Sequence, residues 1–512
     1  MLIFDPSPHE AATSSLRARR LGIDTYQESV AYIRGDCVVC HSLGLGAQSR
    51  VLIGNGRATI VATLNVVNAD WLEVGSVGLS EAAWRRLRAR EGEPLKVEHP
   101  TPAESASDLR AKVYGHRLDQ DQYERLLHDA IAGRLSDIEL AAFVTACAAP
   151  VFDIDENVAL TEAMVAVGER LRWPRSLVVD KHCVGGLPGN RTTPIVVAIV
   201  AAAGFLVPKT SSRAITSPAG TADTMATMTN VDLDLASMRK VVERENGCLV
   251  WGGAVGLSPA DDVLIRVERP LDFDSDAQLT ASVLSKKKAA GSTHILIDVP
   301  VGPTAKVRTT AAAAALSRRL QAVAAAIGLT VRIEISDGRQ PVGRGIGPAL
   351  EARDVLAVLR NNADAPPDLR SRALELAARL LDFSDASNPE ANRRKARQLL
   401  ESGLAWSKFQ AICEAQGGLR EPPVARHRCE VTAKKNGVVA GIDCRRLAKV
   451  AKLAGAPRSA AAGLVLHAPL GAQVAAGQTL LTLHADSAGE IDYARSYWAS
   501  QPDILSIEDP TP

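Results

Sequence analysis

The stretch VVDKHCVGGLPGNRTTP, Val178 to Pro194, sets a lysine, a histidine and a glycine pair between a β-branched run and a long apolar segment. Its left flank, SLVVD from Ser176 to Asp180, reads as a short strand, and its right flank predicts a helix from about Pro194 to Ala203. Strand, glycine turn and helix start bring unpaired N–H groups and the positive end of a helix dipole to one point, which favours an anion. Lys181 adds a full charge at the strand end. Gly185 and Gly186 let the main chain approach an oxyanion, and Arg191 and Thr192 supply further donors. The spacing matches neither GxxxxGK[ST] nor GxGxxG. From this loop alone, a phosphate site and an ordinary tight turn both remain open.

A second loop strengthens the first reading. TSSRAITSPAGTADT, Thr210 to Thr224, is rich in hydroxyls, carries Arg213 and lacks apolar periodicity. Hydroxyls also solvate turns, so composition alone does not decide it. Strand and helix then alternate again in HILIDVP with TTAAAAALSRRLQAVAAAIG, and in TVRIEIS with GIGPALEARDVLAVLRN. Repeated alternation predicts a large α/β domain with a mixed open sheet.

Working outward, the chain divides into four predicted domains, as 512 residues would suggest. Residues 1–100 form an N-terminal β-rich domain, whose β pattern becomes visible at Leu21. Residues 101–172 with 262–291 form a small helical domain, in which Ser136 and Glu139 make a capping box. Residues 173–261 with 292–425 form the α/β phosphate-binding domain, and 426–512 a C-terminal α+β domain. The overall class is α/β multidomain.

Composition excludes several functions. Lysine and arginine number 59 against 58 acids, so no field of one sign draws the protein to nucleic acid or to a membrane surface. The longest apolar run, Ile195 to Val207, is 13 residues and too short to span a bilayer. The opening MLIFDPSPHE lacks a secretory pattern, and the expectation is a cytoplasmic enzyme with reduced thiols acting on a small molecule. CVVCH, Cys37 to His41, matches a haem-attachment string, but that chemistry requires export, and zinc would need a second ligand pair. Metal is therefore expected to be absent, leaving a pair of half-buried thiols.

DKHCVGG, SRAITSPAGTADTM, VWGGAVGLSPADD and LTASVLSKKKAAG with IDVPVGPTAKV resemble, in order, motifs of the thymidine phosphorylase family. The N-terminal β domain is similar to that of its longer branch, which includes the AMP phosphorylases. The resemblance runs from about Leu21 to Ala485 and implies phosphorolysis: phosphate attacks C1′ of a nucleoside, the base leaves, and a pentose 1-phosphate forms. No cofactor is implied beyond phosphate as co-substrate. Homodimers through the helical domain are implied, with cleft closure between the helical and α/β domains.

By resemblance, phosphate lies among Lys181, Gly185, Gly186, Thr192 and Thr221, and His182 faces the base or sugar. In the longer branch the nucleotide is bound by Gly186, by Ser212, Arg213, Ala214, Ile215, Thr216 and Ser217, and by Thr221, Ser282 and Lys306. Asp274 is the implied proton donor to the leaving base, which needs a raised carboxyl pKa. Lys286 matches a base-binding lysine of the shorter pyrimidine nucleoside phosphorylases. Where those have serine after the Lys-His pair, this chain has Cys183, a poorer donor. Their base-binding arginine aligns with Val267, flanked by Arg266 and Arg269.

Each residue also has a plainer reading. Asp274 sits among Asp272 and Asp276 like solvated helix-start charge, and Lys286 to Lys288 reads as an exposed charge run. Lys306 could simply face solvent, and the glycines of GRGIGPALE, Gly343 to Glu351, read as backbone packing. The leading function is thymidine phosphorolysis. One alternative is a nucleoside 5′-monophosphate phosphorylase yielding ribose 1,5-bisphosphate, with Arg213 as a phosphate ligand. Another class is a biotinyl or lipoyl carrier presenting Lys434 or Lys435 in AKKNG, or a nucleotide-binding regulator.

Overall fold

The computed structural model describes residues 15–149, 152–214, 217–271 and 275–509. The chain forms two compact units, Met1–Phe152 with Ala260–Gln278, and Asp153–Pro259 with Leu279–Pro512.

In the first unit six strands close into a barrel: β1 (Ser15–Arg20), β2 (Val30–Arg34), β3 (Arg50–Gly54), β4 (Thr59–Val67), β5 (Ser76–Leu79) and β6 (Pro94–Glu98). Their order is β1-β5-β2-β4-β3-β6, and β6 returns antiparallel to β1, leaving no open edge. Leu16 and Ala18 of β1 alternate inward onto Val51, Ile53, Leu95 and Val97. This strand starts ahead of Leu21 because SLRARR alternates apolar side chains with arginines, a weak pattern in sequence. Cys37 and Cys40 are both free and buried in the barrel core. Three helices follow: Ala106–Val113, Gln120–Ile131 and Asp137–Cys147. The last two open with capping boxes, Asp119 with Gln122 and the expected Ser136 with Glu139.

The second unit is built on parallel strands β7 (Val179–Cys183), β8 (Val207–Ser211), β9 (Gly247–Trp251), β10 (His294–Val301) and β11 (Thr330–Asp337). Strands β11-β10-β7 form one sheet, β8-β9 pair beside it, and a parallel bridge from Val178 to Leu206 joins the two. Every pairing among these five is parallel, so the expected mixed sheet is corrected. The reason is that each strand returns through a helix, and crossover helices make neighbours parallel. The helix Thr192–Ala202 and the four helices between Pro348 and Ala415 cover one face, with Leu296 of β10 beneath them. Ile295, Ile297 and Val299 of β10 pack on the other face with the helix Thr310–Ala326. A two-sided core explains why GCLVW of β9 and HILIDVPV of β10 read as nearly unbroken apolar runs.

The C-terminal part adds two sheets. One runs β12 (Gly345–Ile346), β15 (Gly463–Leu466), β17 (Thr479–Ala485) and β13 (His427–Thr432); the other runs β16 (Gln473–Val474), β14 (Gly437–Ile442) and β18 (Leu505–Glu508). AKKNG is the turn between β13 and β14, with Lys434 and Lys435 exposed. Strand β12 belongs to the GRGIGPALE segment and pairs antiparallel with β15, which fastens this part to the chain before the helix Pro348–Leu359. Gly463 has φ 141°, and a Cβ there would overlap the Ile346 carbonyl oxygen. Gly463→Ala is expected to cost about 3 kcal/mol, from left-handed backbone strain plus that overlap. Limited proteolysis should then cut first in the connecting stretch 420–426, and unchanged protection would show that this close crossing is dispensable.

Candidate anion-binding site at the end of the central strand

Strand β7 lies between β8 and β10, so the chain leaves it one way toward β8 and β9 and later returns on its other side as β10 and β11. The helices that follow β7 and β10 lie on opposite faces of the sheet, which places its topological switch point beyond the carboxyl ends of these strands. VGGLPGN leaves β7 there, and VGPTAKV leaves β10.

Alternation along β7 gives its two faces different chemistry. Lys181 and Cys183 project to one face. Lys181 is 1% exposed, donates from Nζ to Thr192 Oγ1 at 2.8 Å, and stands 3.9 Å from Asp298 Oδ2. Asp298, fully buried, is held by Ser336 Oγ at 2.5 Å and Asn190 Nδ2 at 3.4 Å. Burial pushes the Cys183 thiol up to about 11, aided by the Asp298 charge, so it stays protonated. Gly185, Gly186, Gly189 and Asn190 all have positive φ, which turns the loop tightly back to Thr192. At Gly186 a Cβ would overlap the Lys306 backbone, so glycine is what lets the β7 and β10 loops touch.

The other face carries Asp180 and His182. Asp180 is fully buried between two buried lysines, with Lys287 Nζ at 2.8 Å and Lys209 Nζ at 3.2 Å. Burial pulls Lys287 down to about 7 against the opposing pull of Asp180. His182 is half-buried, and its pKa lies well below the usual histidine value, first through desolvation and then through Lys287, Lys209, Lys286 and Lys181. A neutral imidazole offers one donor and one acceptor to a polar ligand.

The hydroxyl loop folds over the start of a short helix, Thr221–Ala226. Asp223 Oδ2 accepts from Ala214 N at 2.6 Å and Gly220 N at 2.9 Å, drawing Ser212 to Ala214 against Gly220. Ser217 Oγ donates to the Ala219 carbonyl at 3.0 Å. Arg213 is held by the protein's own groups near the surface: it lies 3.1 Å from Asp232 and 3.5 Å from Asp223, over the Trp251 ring at 4.8 Å. Arg191 ties the two loops together, reaching Glu351 and Thr221 Oγ1 at 2.7 Å each and the Ala219 carbonyl at 2.9 Å.

Lys181, Gly185, Gly186, Thr192 and Lys306 thus meet around one loop, and Arg191 connects it to Thr221. Ser282 and Lys286 are half-buried on the helix Asp276–Ala289, whose Val283 and Leu284 pack in the same core as β10. Asp274, Ile215 and Thr216 lie outside the described residues. The lysine run is not the exposed stripe its composition suggests: Lys287 is buried on Asp180, and Lys288 pairs with Glu162. The charged partners Asp180, Asp298, Lys209 and Glu351 escaped sequence reading. For the two aspartates the signal was an acid inside an apolar run, as in VVD and ILID, which burial obliges to find a partner. Among the described residues no group of three or more His, Cys, Asp or Glu could hold a metal, and no helix is long and apolar enough to cross a membrane.

Comparison with known proteins adds three domain matches. Residues 108–168 match the helical bundle domain and residues 175–406 the a/b domain of a glycosyl transferase family. Residues 438–500 match the pyrimidine nucleoside phosphorylase C-terminal domain. The chain is 61% identical to "Putative thymidine phosphorylase 1" of Acidovorax sp. (strain JS42), covering 96% of this chain and 97% of that protein. It is 60% identical to the "Putative thymidine phosphorylase" of Polaromonas sp. (strain JS666 / ATCC BAA-500), covering 98% of each. Among solved structures, the anthranilate phosphoribosyltransferase of Thermus thermophilus superposes with a TM-score of 0.50 at 17% identity. That match covers 60% of this chain and 98% of the other, and it shows a shared fold.

The depressed His182 pKa fixes the sign of a pH effect. Between its folded value and about 6.5 the unfolded chain binds the extra proton, so stability rises with pH up to about 6.5 and is lost below it. In urea titrations at pH 5 and pH 7, His182→Gln is expected to narrow the difference in unfolding midpoint. An equal difference in both proteins would place the acid sensitivity elsewhere.

Proposed function

This chain is a member of the thymidine phosphorylase family, and on that premise we propose that it is a phosphorolytic pentosyltransferase for pyrimidine nucleosides. Thymidine and phosphate would give thymine and 2-deoxyribose 1-phosphate: the C1′–O bond to phosphate forms as the C1′–N bond breaks, and the departing base takes a proton. Such a displacement passes through an oxocarbenium-like sugar, so the protein must align three groups and answer shifting charge. The observation that carries the reading is the buried Lys181 ammonium on Thr192 behind a glycine turn, at the switch point of a parallel sheet.

In this reading Lys181, Thr192, Thr221 and the Gly185 and Gly186 amides hold phosphate. Neutral His182, with Ser282 and Lys286, meets the base or sugar, and Lys306 and the Ser212 to Ser217 loop complete the nucleoside site. Asp274 protonates the leaving base. Donors already present in the chain carry the charge, and the proposed reaction uses phosphate as its only co-substrate. We place the protein in the cytoplasm as a homodimer.

The pairing of Arg213 with Asp232 and Asp223 weighs against its binding a 5′-phosphate, since a dianion there would approach two carboxylates. The match of residues 438–500 to a phosphorylase domain favours an enzyme over a carrier arm at Lys434 or Lys435.

A phosphate-dependent assay should compare thymidine, uridine, AMP, CMP and UMP. Cleavage of thymidine or uridine is expected, and turnover of the monophosphates alone would move the assignment to a nucleotide phosphorylase. Asp274→Asn is expected to lower kcat about 100-fold with little change in the KM for phosphate. Full activity in that variant would remove Asp274 from the mechanism.

A further inference from the structure

Hydrogen-bond direction at the two threonines says more than their location. A guanidinium and an ammonium can only donate, so a hydroxyl oxygen bonded to either must accept there. Arg191 donates to Thr221 Oγ1 at 2.7 Å, and Lys181 donates to Thr192 Oγ1 at 2.8 Å. Each hydroxyl hydrogen must then point away from its cation. The guanidinium is itself fixed on three sides, by Glu351 at 2.7 Å, by Thr221 and by the Ala219 carbonyl at 2.9 Å. Its side chain is 12% exposed and that of Glu351 1%, so the pair cannot easily reorient. A shorter, unforked lysine could not meet all three partners at once.

We infer that Arg191, seated on buried Glu351, is a positioning residue of the anion site: by donating to Thr221 it commits that hydroxyl to donate to the bound oxyanion. Lys181 does the same for Thr192 while also supplying charge. The site so built turns both threonine hydroxyls to its ligand as donors. It therefore suits an oxyanion rich in acceptor oxygens, phosphate or its tetrahedral analogue arsenate, and disfavours a neutral hydroxyl nucleophile such as water, which would have to turn its own lone pairs to every donor. Arg191 acts through Thr221 and needs no contact with the anion.

This inference rests on the phosphorylase reading, and the test separates the two. Wild-type enzyme is first assayed for phosphate-dependent nucleoside cleavage; without it the functional reading fails, and the inference with it. Given activity, Arg191→Gln with Glu351→Gln removes both charges together, so neither is left buried alone. Thr221→Val removes the hydroxyl at nearly constant shape. Each change is expected to raise the KM for phosphate about tenfold, the loss of one hydrogen bond to a charged group, and to leave the nucleoside KM within about twofold. Combined, they should raise it little further, because Arg191 has nothing left to orient. Multiplying effects, or a change in nucleoside KM alone, would overturn the proposal. Should the paired glutamines fail to fold, Arg191→Lys takes their place in the same cycle, with the same expected masking by Thr221→Val.

Discussion

A lysine ammonium with 1% exposure is the constraint around which the second unit is arranged. Burying a full charge is costly unless partners are supplied, and Lys181 finds them in Thr192 at 2.8 Å and Asp298 at 3.9 Å. Asp298 can serve only because β7 and β10 run parallel in a register that sets it beside Cys183. Thr192 can serve only because three glycines and Asn190 take positive φ and return the chain to the strand end. Parallel pairing, tight loop and helix start are thus the conditions on which this buried cation depends. The 3.9 Å separation matters: a carboxylate in closer contact would occupy the ammonium that the proposed anion needs.

The opposite face of the same strand handles charge differently. Two lysines flank the single carboxylate of Asp180, leaving an excess of one buried positive charge when all three are ionised. Burial first, and the neighbouring lysines after it, depress the pKa of both Lys287 and His182. One strand of five residues therefore presents a cation toward the glycine loop and a neutral imidazole toward the other side. Period-two alternation suffices to keep these roles apart.

The C-terminal part contributes to this arrangement through its backbone. Cys444 N donates to Thr304 Oγ1 at 3.0 Å, in the loop that carries Lys306, and Leu470 N donates to Gln340 Oε1 at 2.8 Å, just beyond β11. With the β12 to β15 pairing, these contacts brace the loops leaving β10 and β11 from outside. This bracing uses backbone donors of the C-terminal part, Cys444 N and Leu470 N.

The strand, glycine turn and helix start were legible in DKHCVGG and NRTTP, because a β-branched run, a glycine pair and an apolar run each have a local conformational preference. Helix caps such as Ser136 with Glu139 were equally local and equally readable. The strand at Ser15 was less so, since arginines outside a barrel hide its apolar alternation. Sequence alone determined the strands and helices around the glycine loop and in HILIDVP and TVRIEIS with the segments after them, and where cations and glycines fall along them. Only the tertiary structure decided that the core sheet is parallel, that Asp298 neighbours Lys181, that Lys287 turns inward to Asp180, and that Arg213 is bound to Asp223 and Asp232. The physical reason is range: propensity and periodicity act over a few residues, whereas strand register and helix packing bring together side chains that lie far apart along the chain.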